Sequence, residues 1–226
     1  MRFRILLFFF AVFVSSCTTI KHKKTLAEKL PELGSIGVYK DYLIADVKET
    51  KTIPSLDKPV RLKIEELTIS ERNWFAKKDS LALEKEKTTL LKISILDHFS
   101  LIQQFNKDKT LRNYLASIDN VKLVSEVVMS FPNNILESIR NSDEAYLVQN
   151  KEKTLSIQLR KANKVLKVIE FEDGKIAQIK ASSFCWGSNQ TQRVQIVDLI
   201  SPSAKCNTNS YRSAQKAKRK AEFKFQ

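Results

Sequence analysis

Residues 165–182 read VLKVIEFEDGKIAQIKAS, a sequence that predicts two β-strands joined by a tight turn. The strands are expected over 165–171 and 176–182, because Val and Ile favour a pleated backbone. Between them lies Glu-Asp-Gly-Lys, in which Gly174 tolerates the positive φ that tight hairpin turns require. The stretch therefore predicts a β-hairpin and places antiparallel sheet at the centre of the fold.

Further segments extend this sheet in both directions. Residues 60–65 (VRLKIE) alternate apolar and polar side chains, the period of a half-buried strand. Ala162-Asn163-Lys164 predicts a second, weaker turn, and 176–182 is expected to pair with 194–200. The remaining candidate strands are 42–47, 121–131, 146–149 and 155–160.

The period changes in the middle of the chain. Leu91, Ile95, His98, Ile102 and Phe105 follow at spacings of four, three, four and three, which predicts one face of a helix. This helix is expected to begin near residue 79 or 80, to break at 106–108 and to be followed by a second helix over 110–118. A short third helix is expected over 133–140, after Pro132. The predicted fold class is α+β, a helical hairpin packed on an antiparallel β-meander, in a single domain over 35–209.

The first seventeen residues, MRFRILLFFFAVFVSSC, have the three zones of a secretory signal peptide. Arg2 and Arg4 supply positive charge, 5–14 form an apolar run, and Ser15-Ser16 precede Cys17. Ten apolar residues are fewer than the roughly 20 that a membrane-spanning helix needs. The leader therefore predicts export.

Val14-Ser15-Ser16-Cys17 resembles the lipobox of bacterial lipoproteins, and the resemblance covers the leader alone. It implies a signal peptide over 1–16, a diacylglyceryl group on the sulfur of Cys17 and an acylated amino group after cleavage. Two or three acyl chains anchor a protein stably, whereas one gives only marginal binding. Residues 17–34 are then a tether. The alternatives are an ordinary cleaved signal with a chance cysteine, or an uncleaved anchor.

The charge balance predicts an anionic partner. The 39 basic residues include Arg2 and Arg4, so 37 remain after cleavage against 25 acidic residues, a net charge of +12. Export argues against nucleic acid and favours lipopolysaccharide, phospholipid headgroups or cell wall, or an envelope protein. The expected location is the bacterial cell envelope, periplasmic or surface-exposed.

With Cys17 assigned to lipid, Cys185 and Cys206 remain, and an even pair in an oxidising compartment favours a disulfide. Such a bridge requires the chain to turn back at Ser201-Pro202, because only six residues separate Ile200 from Cys206. The alternative is two unpaired buried thiols.

Few residues suit catalysis. The chain has two histidines, and His98 lies on the apolar helix stripe, where a core histidine is the favoured interpretation. The pair Glu170/Glu172 is interpreted as the charged flank of a strand next to a turn, and the pair Glu65/Glu66 lies in a stretch of mixed charge. We therefore expect no catalytic residue, no metal site and no cofactor, although carboxylates brought together from distant positions would make a hydrolase of envelope polymers.

Two features are candidate binding elements. Trp186 precedes a polar stretch, where Trp is typical of binding surfaces, so it is a possible binding residue, although packing against the disulfide is the favoured interpretation. A basic C-terminal tail over 210–226 is either a solvated charge run or an electrostatic arm, and its candidate residues are Arg212, Lys216, Lys218, Arg219 and Lys220. The favoured function is a non-catalytic binding or scaffolding module on a lipid anchor. The alternatives are the hydrolase and an immunity-type inhibitor of a toxin.

Overall fold

An antiparallel sheet dominates the described part of the protein. The computed structural model describes residues 31–38, 53–67, 89–189 and 193–222. The leader with Cys17, the candidate strand at 42–47 and the predicted helix start near residue 79 lie outside these residues. Within them the fold is α+β with more sheet than helix.

The described residues form nine strands and four α-helices. The strands are β1 (Ile36–Val38), β2 (Val60–Leu67), β3 (Leu90–Ile95), β4 (Val121–Ser130), β5 (Glu144–Gln149), β6 (Leu155–Lys161), β7 (Lys164–Glu170), β8 (Lys175–Ser188) and β9 (Val194–Ile200). The helices are α1 (His98–Lys107), α2 (Lys109–Ser117), α3 (Asn133–Arg140) and α4 (Ala214–Glu222).

The sheet is antiparallel, as predicted, but it is not one meander. Its strand order is β7-β6-β5-β2-β3-β4-β8-β9, and β1 also pairs with β4. Two three-stranded meanders, β2-β3-β4 and β5-β6-β7, therefore lie side by side through the pairing of β2 with β5. The hairpin β8-β9 is added beside β4.

The predicted hairpin around Gly174 is wrong. β7 pairs with β6, whereas β8 pairs with β4 and β9. The backbone φ of Gly174 is −124°, so this residue makes no left-handed turn. A Cβ added there would lie 2.6 Å from the carbonyl oxygen of Ser130, so the glycine allows a close approach to β4. The link between β7 and β8 is a short 3₁₀ turn, Phe171–Asp173, whose Phe171 side chain is buried.

The predicted turn at Ala162-Asn163 is confirmed, whereas the predicted pairing of 176–182 with 194–200 is wrong in register, because 176–182 pair with β4 and it is 183–188 that pair with β9. β6 and β7 are joined through Ala162 (φ 47°) and Asn163 (φ 64°), the two positive-φ residues of a tight hairpin turn. β8 pairs with β9 from Ser183–Ile200 to Ser188–Val194.

The single long helix predicted through residues 91–105 is wrong, because its first part is the strand β3. Leu91, Ile93 and Ile95 are buried at every second position, the period of a strand. α1 begins only at His98, after Asp97, whose side chain accepts a hydrogen bond from the Ser100 backbone at 2.9 Å. His98 is half-buried at the start of the helix and does not lie in the core. The paired helices α1 and α2 and the short α3 are confirmed.

Residues 31–34, which the sequence assigns to the tether, are buried in the domain. Leu33 is fully buried, and the Gly34 backbone N–H donates to the carbonyl of Val124 at 2.8 Å. Gly34 has a φ of 82°, a conformation that favours glycine. The boundary predicted at residue 34 therefore falls inside the folded domain.

The C-terminal segment is also folded, in contrast to the predicted tail. Tyr211 forms a β-bridge with Trp186, and α4 follows three residues later. Ala214, Ala217 and Ala221 are buried on one face of α4, which packs against β8 and β9. None of the helices in the described ranges is long and apolar enough to span a membrane.

Candidate anion-binding cleft

A disulfide fixes the path of the chain toward α4. Cys185 and Cys206 are bonded, with their Cα atoms 5.7 Å apart, as predicted. The chain turns back after β9, where the Ala204 backbone N–H donates to the carbonyl of Ser201 at 2.9 Å. This is the turn that the bridge requires.

Trp186 is a core residue. Its side chain is 3% exposed, and its ring centroid lies 6.4 Å from that of Phe184. The backbone N–H and C=O of Trp186 are both bonded to Tyr211, at 2.7 and 2.8 Å. The possible binding role of this residue is not supported, because β8 continues to Ser188 and the ring lies in the interior.

The basic residues of the C-terminal segment have different roles. The Arg212 guanidinium donates to the carbonyls of Pro202 and Ala204, so it holds the turn after β9. The Lys216 ammonium lies 5.5 Å from the centre of the Tyr211 ring, a cation–π contact. The remaining three, Lys218, Arg219 and Lys220, are exposed on α4.

Among the basic residues of the C-terminal segment, Lys218 lines a cleft. The cleft has a volume of about 470 Å³ and lies between α2, α4 and the beginning of β9. Its basic lining residues are Lys109, Arg112, Arg193 and Lys218. Asn113, Ala116 and Val194 complete the lining.

One face of α2 forms a wall of this cleft. Residues 109, 112, 113 and 116 follow the spacing of three, four and seven that places side chains on one side of a helix. The helix begins after Asp108, whose carboxylate accepts a hydrogen bond from the Leu111 backbone N–H at 2.9 Å. The acid nearest to Lys109 in sequence therefore caps the helix.

The Arg112 guanidinium is held by a hydrogen bond to the backbone of α1. Its Nη1 donates to the backbone carbonyl of Asn106 at 2.7 Å, and the side chain is half-buried. The amide of Asn106 is itself bonded to the backbone of Ile196 in β9. The guanidinium is therefore oriented by two elements before any ligand arrives.

The cleft has an unbalanced charge. Four cationic side chains line it, and its lining includes no carboxylate among the residues that the structure describes. Among the described residues, the ion pairs involve other cations, namely Arg61, Lys63, Lys92, Lys107 and Arg140. Like charges gathered from separate elements repel one another, and a bound anion would relieve that repulsion. The geometry therefore suits an anionic ligand.

The carboxylates considered as catalytic candidates have structural partners. Glu65 lies between the ammonium groups of Lys63 and Lys92, whose hydrogen bonds lower its pKa from 4.5 to about 2. Glu66 receives two hydrogen bonds from Arg140, at 2.7 and 3.0 Å, which also lower its pKa. Glu170 accepts a hydrogen bond from the buried hydroxyl of Ser156 at 2.6 Å.

Within the ranges that the structure describes, no three His, Cys, Asp or Glu side chains lie close enough together to hold a metal ion.

Three of the four basic cleft residues were missed from the sequence. Lys109 and Arg112 belong to the second predicted helix, and Arg193 precedes a predicted strand, so each is unremarkable in its own segment. The basic and polar spacing along α2 was the available signal. This spacing indicates a site only when combined with the packing of α4 beside α2.

Comparison with known proteins gives no family for this chain: it matches no family model, no curated protein and no solved structure.

Proposed function

We propose that the protein is a lipid-anchored envelope lipoprotein that binds an anionic partner and performs no catalysis. The leader with its lipobox-like Val14-Ser15-Ser16-Cys17 supports the location. The basic cleft supports the binding role. The net charge of the chain, +14 including the leader, agrees with binding to an anionic partner.

The convergence of cations in the cleft carries the binding role. A solvated charge run would lie along one element, as predicted for the C-terminal tail. Here Lys109 and Lys218 come from helices more than one hundred positions apart, and Arg193 comes from the start of a strand. Bringing these like charges together makes the free energy of folding less favourable. This cost favours a binding function over a solubilising one.

The folded N-terminal residues shorten the proposed tether. Since residues 31–34 belong to the domain, thirteen positions, 18–30, separate Cys17 from it. At about 3.5 Å per residue, such a segment reaches at most about 45 Å. Lys21, Lys23 and Lys24 lie in it, and each basic residue near an anionic membrane adds about 1 kcal/mol to adsorption.

The anchor is tested by Cys17→Ala in cells fed labelled palmitate. The parent chain should incorporate the label and sediment with membranes, because acyl chains on Cys17 hold it there. The variant should lack the label and leave the membrane fraction. A variant that stays labelled and membrane-bound like the parent would overturn the proposed placement.

The binding role is tested by cross-linking the membrane-held protein in intact envelopes and identifying what is captured. We expect phospholipid, lipopolysaccharide or cell-wall polymer, with capture reduced at high salt because the contact is electrostatic. Stoichiometric capture of a single protein that persists at high salt would contradict this role and favour the inhibitor alternative.

A further inference from the structure

We infer that the cleft between α2 and α4 is a site for a small phosphorylated group, a phosphate monoester or diphosphate rather than a carboxylate. The inference rests on the proposed binding function and names the ligand chemistry of the same site. It concerns Lys109, Arg112, Arg193 and Lys218.

The number and type of donors favour phosphate. A guanidinium has five N–H donors, and the structure uses one of those of Arg112 for the carbonyl of Asn106. Arg193 contributes a second planar fork, and the two lysines contribute point charges. A single carboxylate carries one charge and two oxygens, whereas a diphosphate carries several charges on more oxygens. The latter satisfies four cations from different directions.

The size and the apolar part of the cleft limit what accompanies the phosphate. A volume of about 470 Å³ is in the range of sites for small molecules and headgroups. Ala116 and Val194 supply aliphatic surface beside the cations, and Asn113 supplies an amide. This combination suits a monoester phosphate or diphosphate attached to a compact organic group, such as the phosphate of phosphatidic acid or the phosphorylated sugar of a glycolipid.

One donor group of the site, the Arg112 guanidinium, is preorganised, and α4, which carries Lys218, is fixed in position, although the Lys109, Arg193 and Lys218 side chains are exposed. Arg112 is oriented through Asn106 and β9, and α4 is fixed by its three buried alanines and the Tyr211–Trp186 bridge. Donors that are already in place lose little entropy when the ligand binds. Binding should therefore depend strongly on the cleft residues and weakly on other cations of α4.

Inorganic pyrophosphate is the probe, titrated by calorimetry into the full chain purified in a neutral detergent. Lys218→Gln and Arg193→Gln should each weaken binding about tenfold or more, because each removes a charge-assisted hydrogen bond. Lys220→Gln is the matched control, since it removes the same charge from the same helix outside the cleft. It should change the affinity by less than about twofold.

The outcomes separate a built site from general electrostatics. Equal losses in Lys218→Gln and Lys220→Gln would overturn the inference, and so would failure of the parent chain to bind pyrophosphate. Unfolding temperatures, measured for each variant, should match the parent because all three residues are exposed. Acetate and malonate titrated into the parent chain should bind more weakly than pyrophosphate, and equal or tighter binding would contradict the choice of phosphate.

A competition experiment distinguishes lipid-borne from free phosphate. The chain is sedimented with vesicles of phosphatidylcholine containing phosphatidic acid, whose phosphate is a monoester, with and without pyrophosphate. Displacement that is lost in Lys218→Gln would assign the cleft to the lipid headgroup, whereas pyrophosphate binding without displacement would assign it to a free phosphorylated ligand. If neither probe uses the cleft but envelope capture persists, the inference fails and the proposed function stands.

Discussion

The side chain of Asn106 exchanges two hydrogen bonds with the backbone of Ile196, ninety positions later in the chain. Its Nδ2 donates to the Ile196 carbonyl at 2.7 Å, and its Oδ1 accepts from the Ile196 N–H at 2.9 Å. Gln104 forms a similar pair with Lys58, at 2.9 and 3.2 Å. Residues two apart on a helix point about 200° from each other, so α1 is held from opposite sides.

Asn106→Ala should destabilise the protein by about 2 kcal/mol, because two hydrogen bonds are lost and the Ile196 backbone groups keep no side-chain partner. Urea unfolding followed by circular dichroism measures the change. Gln103→Ala is the control, since Gln103 is exposed on the same helix and should change stability by less than about 0.5 kcal/mol. Equal effects of the two substitutions would show that the amide pair contributes nothing specific.

Removal of the disulfide by Cys206→Ser should lower the free energy of unfolding by about 3 kcal/mol. The two cysteines are 21 positions apart, and the bond restricts the unfolded chain over that loop. Denaturant unfolding of the parent with a reductant should reach the same midpoint as the variant. An unchanged midpoint in either experiment would contradict this role of the bond.

Gly34→Ala should destabilise the domain by about 1–3 kcal/mol. The added Cβ would lie 2.8 Å from Leu147 Cδ2 and 2.9 Å from Leu155 Cδ1, at a residue whose φ is 82°. Gly187→Ala is a milder comparison, because its nearest neighbour is a side-chain methyl of Val197 at 3.0 Å. Thermal unfolding should rank the parent above Gly187→Ala and Gly187→Ala above Gly34→Ala, and the reverse order of the two variants would count against a folded role for residues 31–34.

The stabilising effect of Glu65 should disappear in acid. Its folded-state pKa of about 2 lies below the ordinary value of 4.5, because Lys63 and Lys92 donate hydrogen bonds to the carboxylate. The contribution is therefore complete above pH 4.5 and is lost as the pH falls toward 2. The unfolding temperatures of the parent and Glu65→Gln should differ at pH 7 and converge near pH 2. A difference that stays the same between pH 7 and pH 2 would contradict this role of the carboxylate.

Local features of the fold were predictable from the sequence. The strand that ends before Pro132, the helix that follows it and the turn at Ala162-Asn163 depend on residues close together in the chain. The pairing of the strands could be predicted less well from the sequence, because it depends on residues far apart in the chain. The local sequence predicts a hairpin turn at Gly174. In the structure a glycine is needed there because the Ser130 carbonyl, in a distant strand, comes too close for a Cβ. The 91–95 spacing fits both a helix and a strand, and only burial on β3 distinguishes them.

The candidate site could be predicted only in part, for the same reason. Three alanines share one face of α4, but no local pattern predicts that this face packs on β8. Lys109, Arg112 and Arg193 form a candidate site only because the fold brings them close to Lys218. No local sequence pattern predicts that proximity. Trp186 was assigned to a loop because the predicted strand ended at Ser182, six residues before β8 ends.

The position of β8 beside β4 also limits how quickly the protein can acquire its native topology. Ser130 pairs with Lys175, 45 positions later, and Lys122 pairs with Ser183, 61 positions later. Such a high contact order places refolding on the order of milliseconds to seconds, because distant segments must meet before these hydrogen bonds form. Until β8 arrives, one edge of β4 exposes unpaired backbone and an apolar sequence to other chains. Fragments that end before residue 175 should therefore aggregate instead of folding.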